Sequence, residues 1–118
     1  MQTQTHLKSF FTAVLLIAFI SVGLNAAVKP KGETVTIQTS AICESCKKRI
    51  ETTLSSTTGI ESVNLNLKDK KLKVKYDPTE ITPLQIRSII SNTGYDADDM
   101  KKNEEAFNKL PHCCQKPM

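Results

Sequence analysis

Residues 33–50 read Glu33-Thr34-Val35-Thr36-Ile37-Gln38-Thr39-Ser40-Ala41-Ile42-Cys43-Glu44-Ser45-Cys46-Lys47-Lys48-Arg49-Ile50, and the hydrophobic period changes within them. Val35 and Ile37 alternate with Thr34, Thr36 and Gln38, the period-two pattern of a half-buried strand. After a short loop over 40–46 the period lengthens. Cys46, Ile50 and Leu54 recur every fourth residue, with Lys47, Lys48, Arg49 and Glu51 between them, which predicts an amphipathic helix. A Ser/Thr cluster over 55–58 and Gly59 mark its end. The two thiols therefore fall where a strand gives way to a helix.

Alternation returns after Gly59. Val63, Leu65 and Leu67 face one way, Lys68-Asp69-Lys70 makes a polar turn, and Leu72, Val74 and Tyr76 then alternate with Lys71, Lys73 and Lys75. Two such runs across a short polar turn predict a β-hairpin, which Asp77-Pro78 stops. The next helix has a written start: Thr82 as N-cap, Pro83 at the first helical position and Gln85 completing a capping box. Ile86, Ile89 or Ile90, and Thr93 form its buried stripe, and Gly94 ends it. Residues 95–99 have room for an edge strand, against which Asp96, Asp98 and Asp99 weigh. Met100, Phe107 and Leu110 mark a short third helix, capped by Asp98 or Asp99 and ended by Pro111. The order β-α-β-β-α-(β) fits an α+β split βαβ sandwich with two helices on one face of an antiparallel sheet. The other face stays wet, which suits the lysines of the third strand.

The N-terminal quarter is different. No charged residue falls between Lys8 and Lys29, and residues 10–24 are almost wholly apolar. A basic start, a short apolar run and the small residues Ala26 and Ala27 predict a signal peptide over 1–27, followed by a linker over 28–32. The apolar run is shorter than the roughly 20 residues that span a bilayer. An uncleaved anchor is the competing reading. On either reading the remainder is expected to be periplasmic or secreted, and membrane contact is expected only through an uncleaved N-terminal segment. The 118-residue length leaves room for one ordinary domain and excludes a large multidomain enzyme. Beyond residue 27 the aromatics are Tyr76, Tyr95 and Phe107, so the core is mostly aliphatic.

All four cysteines lie beyond the apolar run, as Cys43 with Cys46 and Cys113 with Cys114. One thiol in a loop and one entering a helix can point their sulfurs at a common centre. Unpaired amides and the positive end of the helix dipole favour thiolate there, and Lys47, Lys48 and Arg49 add to that field. Thiolates are soft ligands for Cu(I) and similar ions, whereas two sulfurs underfill zinc, which takes four. A lone C-x-x-C is equally the pattern of a structural disulfide or a redox dithiol. Leu110-Pro111-His112-Cys113-Cys114 offers a further set of soft ligands. Cys113 and Cys114, with His112, can cap Cys43 and Cys46 as third and fourth ligands or receive metal from them. A disulfide to the loop or to another chain, or unpaired thiols, is the alternative.

Taken together, residues 33–100 resemble the heavy-metal-associated domain. That family includes copper chaperones, the metal-binding modules of copper-exporting ATPases and periplasmic mercury-binding proteins. The resemblance is carried by Val35-Thr36-Ile37, Cys43-Glu44-Ser45-Cys46, Gly59-Ile60 with Val63-Asn64, Tyr76-Asp77-Pro78 and Gly94-Tyr95. It implies a ferredoxin-like fold over 33–100, with residues 101–118 as a short helix and Cys-Cys tail. It also implies a two-thiolate site at Cys43 and Cys46 that passes soft metal to partners by ligand exchange. Where the family usually has Gly-Met-Thr before its first cysteine, this chain has Ser40-Ala41-Ile42. Ala41 replaces the Met that packs beneath the loop, and Ile42 is expected to shield the site from water. Tyr95 matches the tyrosine that bacterial members place near the metal loop. It reads either as a group that tunes access to the metal or as a core aromatic.

Three function classes compete. The first is an exported, non-enzymatic soft-metal carrier: Cu(I) leads, Hg(II), Zn(II) and Cd(II) follow, and the partner is a metal transporter or another metal-binding domain. The second is a thiol–disulfide redox protein, against which no aromatic stands directly before Cys43 and no strand-plus-Pro element resembles a thioredoxin. The third is nucleic-acid binding, which needs aromatics on the central strands for stacking. Tyr76 is the only one there, on the same face as Leu72 and Val74, so no nucleic acid is expected. The Lys71, Lys73 and Lys75 face reads as a solvated surface that discourages edge pairing, or as a dock for an acidic partner.

Overall fold

A computed structural model describes residues 32–115. The N-terminal segment read as a signal peptide lies outside the described residues, as does all of the linker except Gly32. The strands are β1 (Glu33–Gln38), β2 (Ile60–Asn66) and β3 (Lys71–Tyr76). Helix α1 (Glu44–Ser55) joins β1 to β2, and α2 (Pro83–Thr93) follows β3. Two short helices, α3 (Glu104–Asn108) and α4 (His112–Gln115), complete the described chain.

The sheet order is β1-β3-β2, with β3 antiparallel to both neighbours. The α1 connection therefore carries the chain across the strand that β3 later fills, the split βαβ arrangement. Register follows from the alternation. Ile37 opposes Leu72 and Val35 opposes Val74 across one ladder, while Leu65 opposes Leu72 and Val63 opposes Val74 across the other. One face of the sheet is thus aliphatic, and Lys71, Lys73 and Lys75 stand exposed on the other. A bulge at the start of β2 absorbs Glu61, whose carboxylate meets Lys75 at 3.4 Å.

Helix α1 buries Cys46, Ile50 and Leu54, the predicted stripe, against that aliphatic face. Each such buried aliphatic side chain contributes about 1.5–3 kcal/mol. Glu51 ties the helix to the sheet edge, accepting a 2.8 Å bond from the Leu65 amide. Helix α2 starts on the full capping box of Thr82 and Gln85 and buries Ile86, Ile90 and Ser91. It ends at Gly94, whose φ of +106° favours a residue without a side chain.

After Gly94, where the sequence left an edge strand open, no regular strand forms among the described residues. Only single bridges form, Thr39 with Ala97 and Ala97 with Met100. The physical reason is Asp98, which turns the backbone at φ +55°. Its amide donates to the Gln38 carbonyl at 2.8 Å, and its carboxylate accepts from the Gln38 amide at 2.9 Å. A side chain thus replaces the next ladder carbonyl and ends the pairing. The cap of α3 is also corrected: Asn103, not Asp98 or Asp99, accepts from the Ala106 amide at 2.9 Å. That helix is also shorter than expected: it ends at Asn108, before Pro111, and leaves Met100 and Leu110 outside it, and a second short helix, α4, then brings the tail back onto the domain. Among the described residues no helix is long and apolar enough to cross a membrane.

Candidate metal centre

Cys43 caps α1 with an extended backbone, and its carbonyl accepts the first helical bond from Lys47 at 3.0 Å. Its side chain makes no capping bond, so the sulfur is free to face inward. Cys46, one turn on, is fully buried on the stripe that α1 presents to the core. The two Sγ atoms lie 3.2 Å apart, and all four cysteines are free thiols. Ala41 is buried beneath the loop and Ile42 is half-buried beside it.

The loop is held from the segment after α2. Ser40 Oγ accepts from the Asp96 amide at 2.9 Å. Thr39 Oγ1 donates to the Lys70 carbonyl at 2.9 Å and accepts from the Ala41 amide at 3.3 Å. Asp98 adds a 2.8 Å ion pair with Arg87. Burial acts to raise the Asp98 pKa, but the Arg87 bond, the Gln38 amide and the Arg87 charge outweigh it and hold it below the usual value. These contacts fix the β1–α1 loop against the segment after α2 and against the β2–β3 turn.

The tail reaches the same place. Leu110 is buried, and its side chain packs where a Cβ on Gly94 would stand, as does the α3 backbone at Phe107. Gln115 Nε2 donates to the carbonyls of Phe107, Asn108 and Leu110, closing the end of α3. Lys102 sits 3.6 Å over the Phe107 ring. So anchored, α4 turns Cys114 inward, where its Sγ is 3.7 Å from that of Cys43. Cys113 is exposed, with its sulfur 3.9 Å from Cys114. The sulfurs of Cys43, Cys113 and Cys114 all lie within 4.8 Å of one another. His112 is exposed at the start of α4 and is not part of that group.

Tyr95 is buried against the sulfurs. Its hydroxyl has no hydrogen-bond partner among the described residues. Burial, then the adjacent Cys114 and Cys46, push its pKa far up. Burial is also the main cause that pushes the Cys114 thiol up to about 12; Cys46 and Cys43 act the same way and Tyr95 opposes them. Both groups therefore stay protonated at neutral pH. The sequence singled out Tyr95 and all four cysteines; it gave Ser40, Asp96 and Asp98 no part in holding the loop, because their bonds link distant segments.

The arrangement has relatives. Copper-transporting ATPase 1 of Rattus norvegicus is 40% identical over 70 residues, which cover 59% of this chain and 5% of the ATPase. The copper chaperone CopZ of Staphylococcus aureus (strain JH9) is 32% identical over 54 residues, covering 46% of this chain and 79% of the chaperone. This chain thus matches only a small part of the transporter. Among solved structures, a CopZ metallochaperone superposes with a TM-score of 0.54 at 26% identity, over 55% of this chain and 98% of that one. Oxidized MerP from Ralstonia metallidurans CH34 shares the fold, with a TM-score of 0.54 at 18% identity over 57% of this chain and 94% of that one. The heavy-metal-associated domain model matches residues 36–96, more than half of the chain, and the chain belongs to that family.

Proposed function

We propose that this protein is an exported soft-metal carrier that holds Cu(I) between Cys43 and Cys46 and passes it on by thiolate exchange. The observation that carries this reading is the 3.2 Å approach of the two sulfurs at the start of α1, with Cys43 only partly buried. Paired thiolates select soft ions, and Cu(I) is satisfied by few ligands, so it leads over Hg(II), Zn(II) and Cd(II). The names of the copper-transporting and copper-chaperone relatives favour the same ion. Export is supported by the basic start, short apolar run and small residues over 1–27.

The receiving partner is a metal transporter or another metal-binding domain that presents its own thiolates. Partial exposure of Cys43 gives such a thiolate one sulfur to displace first. The lysine face of β3 is remote in kind from this chemistry and serves solubility or docking. Transfer is tested by mixing the Cu(I)-loaded protein with an apo copper-chaperone domain, separating the two and counting copper in each. Copper moving to the partner within minutes supports the reading; copper that stays with the carrier opposes it. Metal-independent reduction of a disulfide substrate would favour the redox reading instead.

A further inference from the structure

The tail lies outside the matched domain, yet the structure docks it on the metal loop. We propose that Cys114 is a third sulfur ligand, completing with Cys43 and Cys46 a three-thiolate site closed by the chain's own C-terminal extension. This inference rests on the reading of Cys43 and Cys46 as the primary ligands.

Three independent observations carry it. The first is distance and burial. Cys114 Sγ lies 3.7 Å from Cys43 Sγ, which is itself 3.2 Å from Cys46 Sγ, and both Cys46 and Cys114 are buried. The second is anchoring. Leu110 packs over Gly94, and Gln115 closes α3 with bonds of 2.8, 3.1 and 3.2 Å. Cys114 is therefore already in place, and a ligand held in place binds at high effective concentration with little ordering left to do. The third is Tyr95. Its buried hydroxyl lacks a partner among the described residues and lies against Cys46 and Cys114. A buried donor left unmade is costly, and a metal-bound thiolate is the strong acceptor that would satisfy it.

The charges agree. Three thiolates around Cu(I) leave two net negative charges. Lys70 and Lys102 line the same crevice as Tyr95 and Cys114 and offset them. Binding replaces three thiol protons with one metal ion, releases those protons to solvent and changes no oxidation state. Cys113 is exposed, with its sulfur 3.9 Å from Cys114 and within 4.8 Å of Cys43, and it is left outside the three-thiolate set as the thiol most open to an incoming partner.

The test is Cu K-edge X-ray absorption on the full chain loaded anaerobically with one equivalent of Cu(I), without added thiol. Wild type and Cys113→Ala are expected to show three sulfur neighbours. Cys114→Ala is expected to show two, with Cu(I) affinity against a chromophoric chelator falling at least ~10-fold. Cys114→Ser keeps the side-chain size, and its far-UV circular dichroism guards against misfolding as the cause. Two sulfurs in the wild type, or an unchanged count and affinity in both Cys114 variants, would overturn the proposal. Full affinity in a Cys43→Ser, Cys46→Ser variant would instead overturn the reading beneath it.

Discussion

Gly94→Ala tests how the C-terminal extension is held to the domain. Gly94 ends α2 at φ +106°, where a side chain is strained at a cost of about 1–3 kcal/mol. An added Cβ would also stand 3.1 Å from Leu110 Cδ1, 3.1 Å from the Phe107 amide nitrogen and 3.2 Å from the Ala106 carbonyl carbon. Leu110 can shift, but the α3 backbone cannot without moving the tail. Alanine stiffens the unfolded chain, which returns about 0.4–1 kcal/mol. The net loss is then about 1–2 kcal/mol, which lowers the melting temperature of a domain this size by roughly 5–15 °C. Differential scanning calorimetry of the reduced apo protein reads that loss. Alkylation with iodoacetamide, mapped by mass spectrometry, reads the tail: Cys114, buried in the wild type, should react faster in the variant. Wild-type melting together with wild-type Cys114 reactivity would refute the claim that α3 and the tail press on Gly94.

Two further outcomes follow from the same packing and electrostatics. Leu54→Ala removes a fully buried side chain between α1 and the sheet and should lower urea stability by about 2–5 kcal/mol; a loss under 1 kcal/mol would show that the core closes around the gap. Asp98 is less protonated in the folded than in the unfolded chain at acid pH, because its folded pKa is lowered. Its stabilisation is therefore complete above the unfolded carboxyl value near pH ~4 and is lost as pH falls through the folded value. Urea titrations from pH 7 downward should show Asp98→Asn less stable than wild type at neutral pH, with the gap closing in acid; a constant gap would contradict the sign.

The strands and main helices were legible because their signals are local. Alternation in β1, β2 and β3, the fourth-residue spacing of Cys46, Ile50 and Leu54, and the Thr82–Gln85 box each lie within one element. Cys43 and Cys46 were legible for the same reason: three residues at a helix start bring two side chains together. What escaped the sequence depends on distant partners. Asp98 ends the sheet through bonds to Gln38, 60 positions away, which no periodicity records. The sequence offered the tail cysteines as ligands only beside disulfide and free-thiol alternatives: Cys43 and Cys114 are 71 positions apart, and their meeting depends on Gly94, Leu110 and Gln115. Adjacent residues on a helix point about 100° apart. Composition alone could not tell that α4 turns Cys114 inward and leaves His112 and Cys113 exposed.

Whether Cys43 and Cys46 hold the metal is decided by anaerobic Cu(I) titration of the reduced protein, read by native mass spectrometry. If they do, the wild type takes up one Cu(I) per monomer and the Cys43→Ser, Cys46→Ser variant retains none. An unchanged stoichiometry in that variant would contradict that assignment.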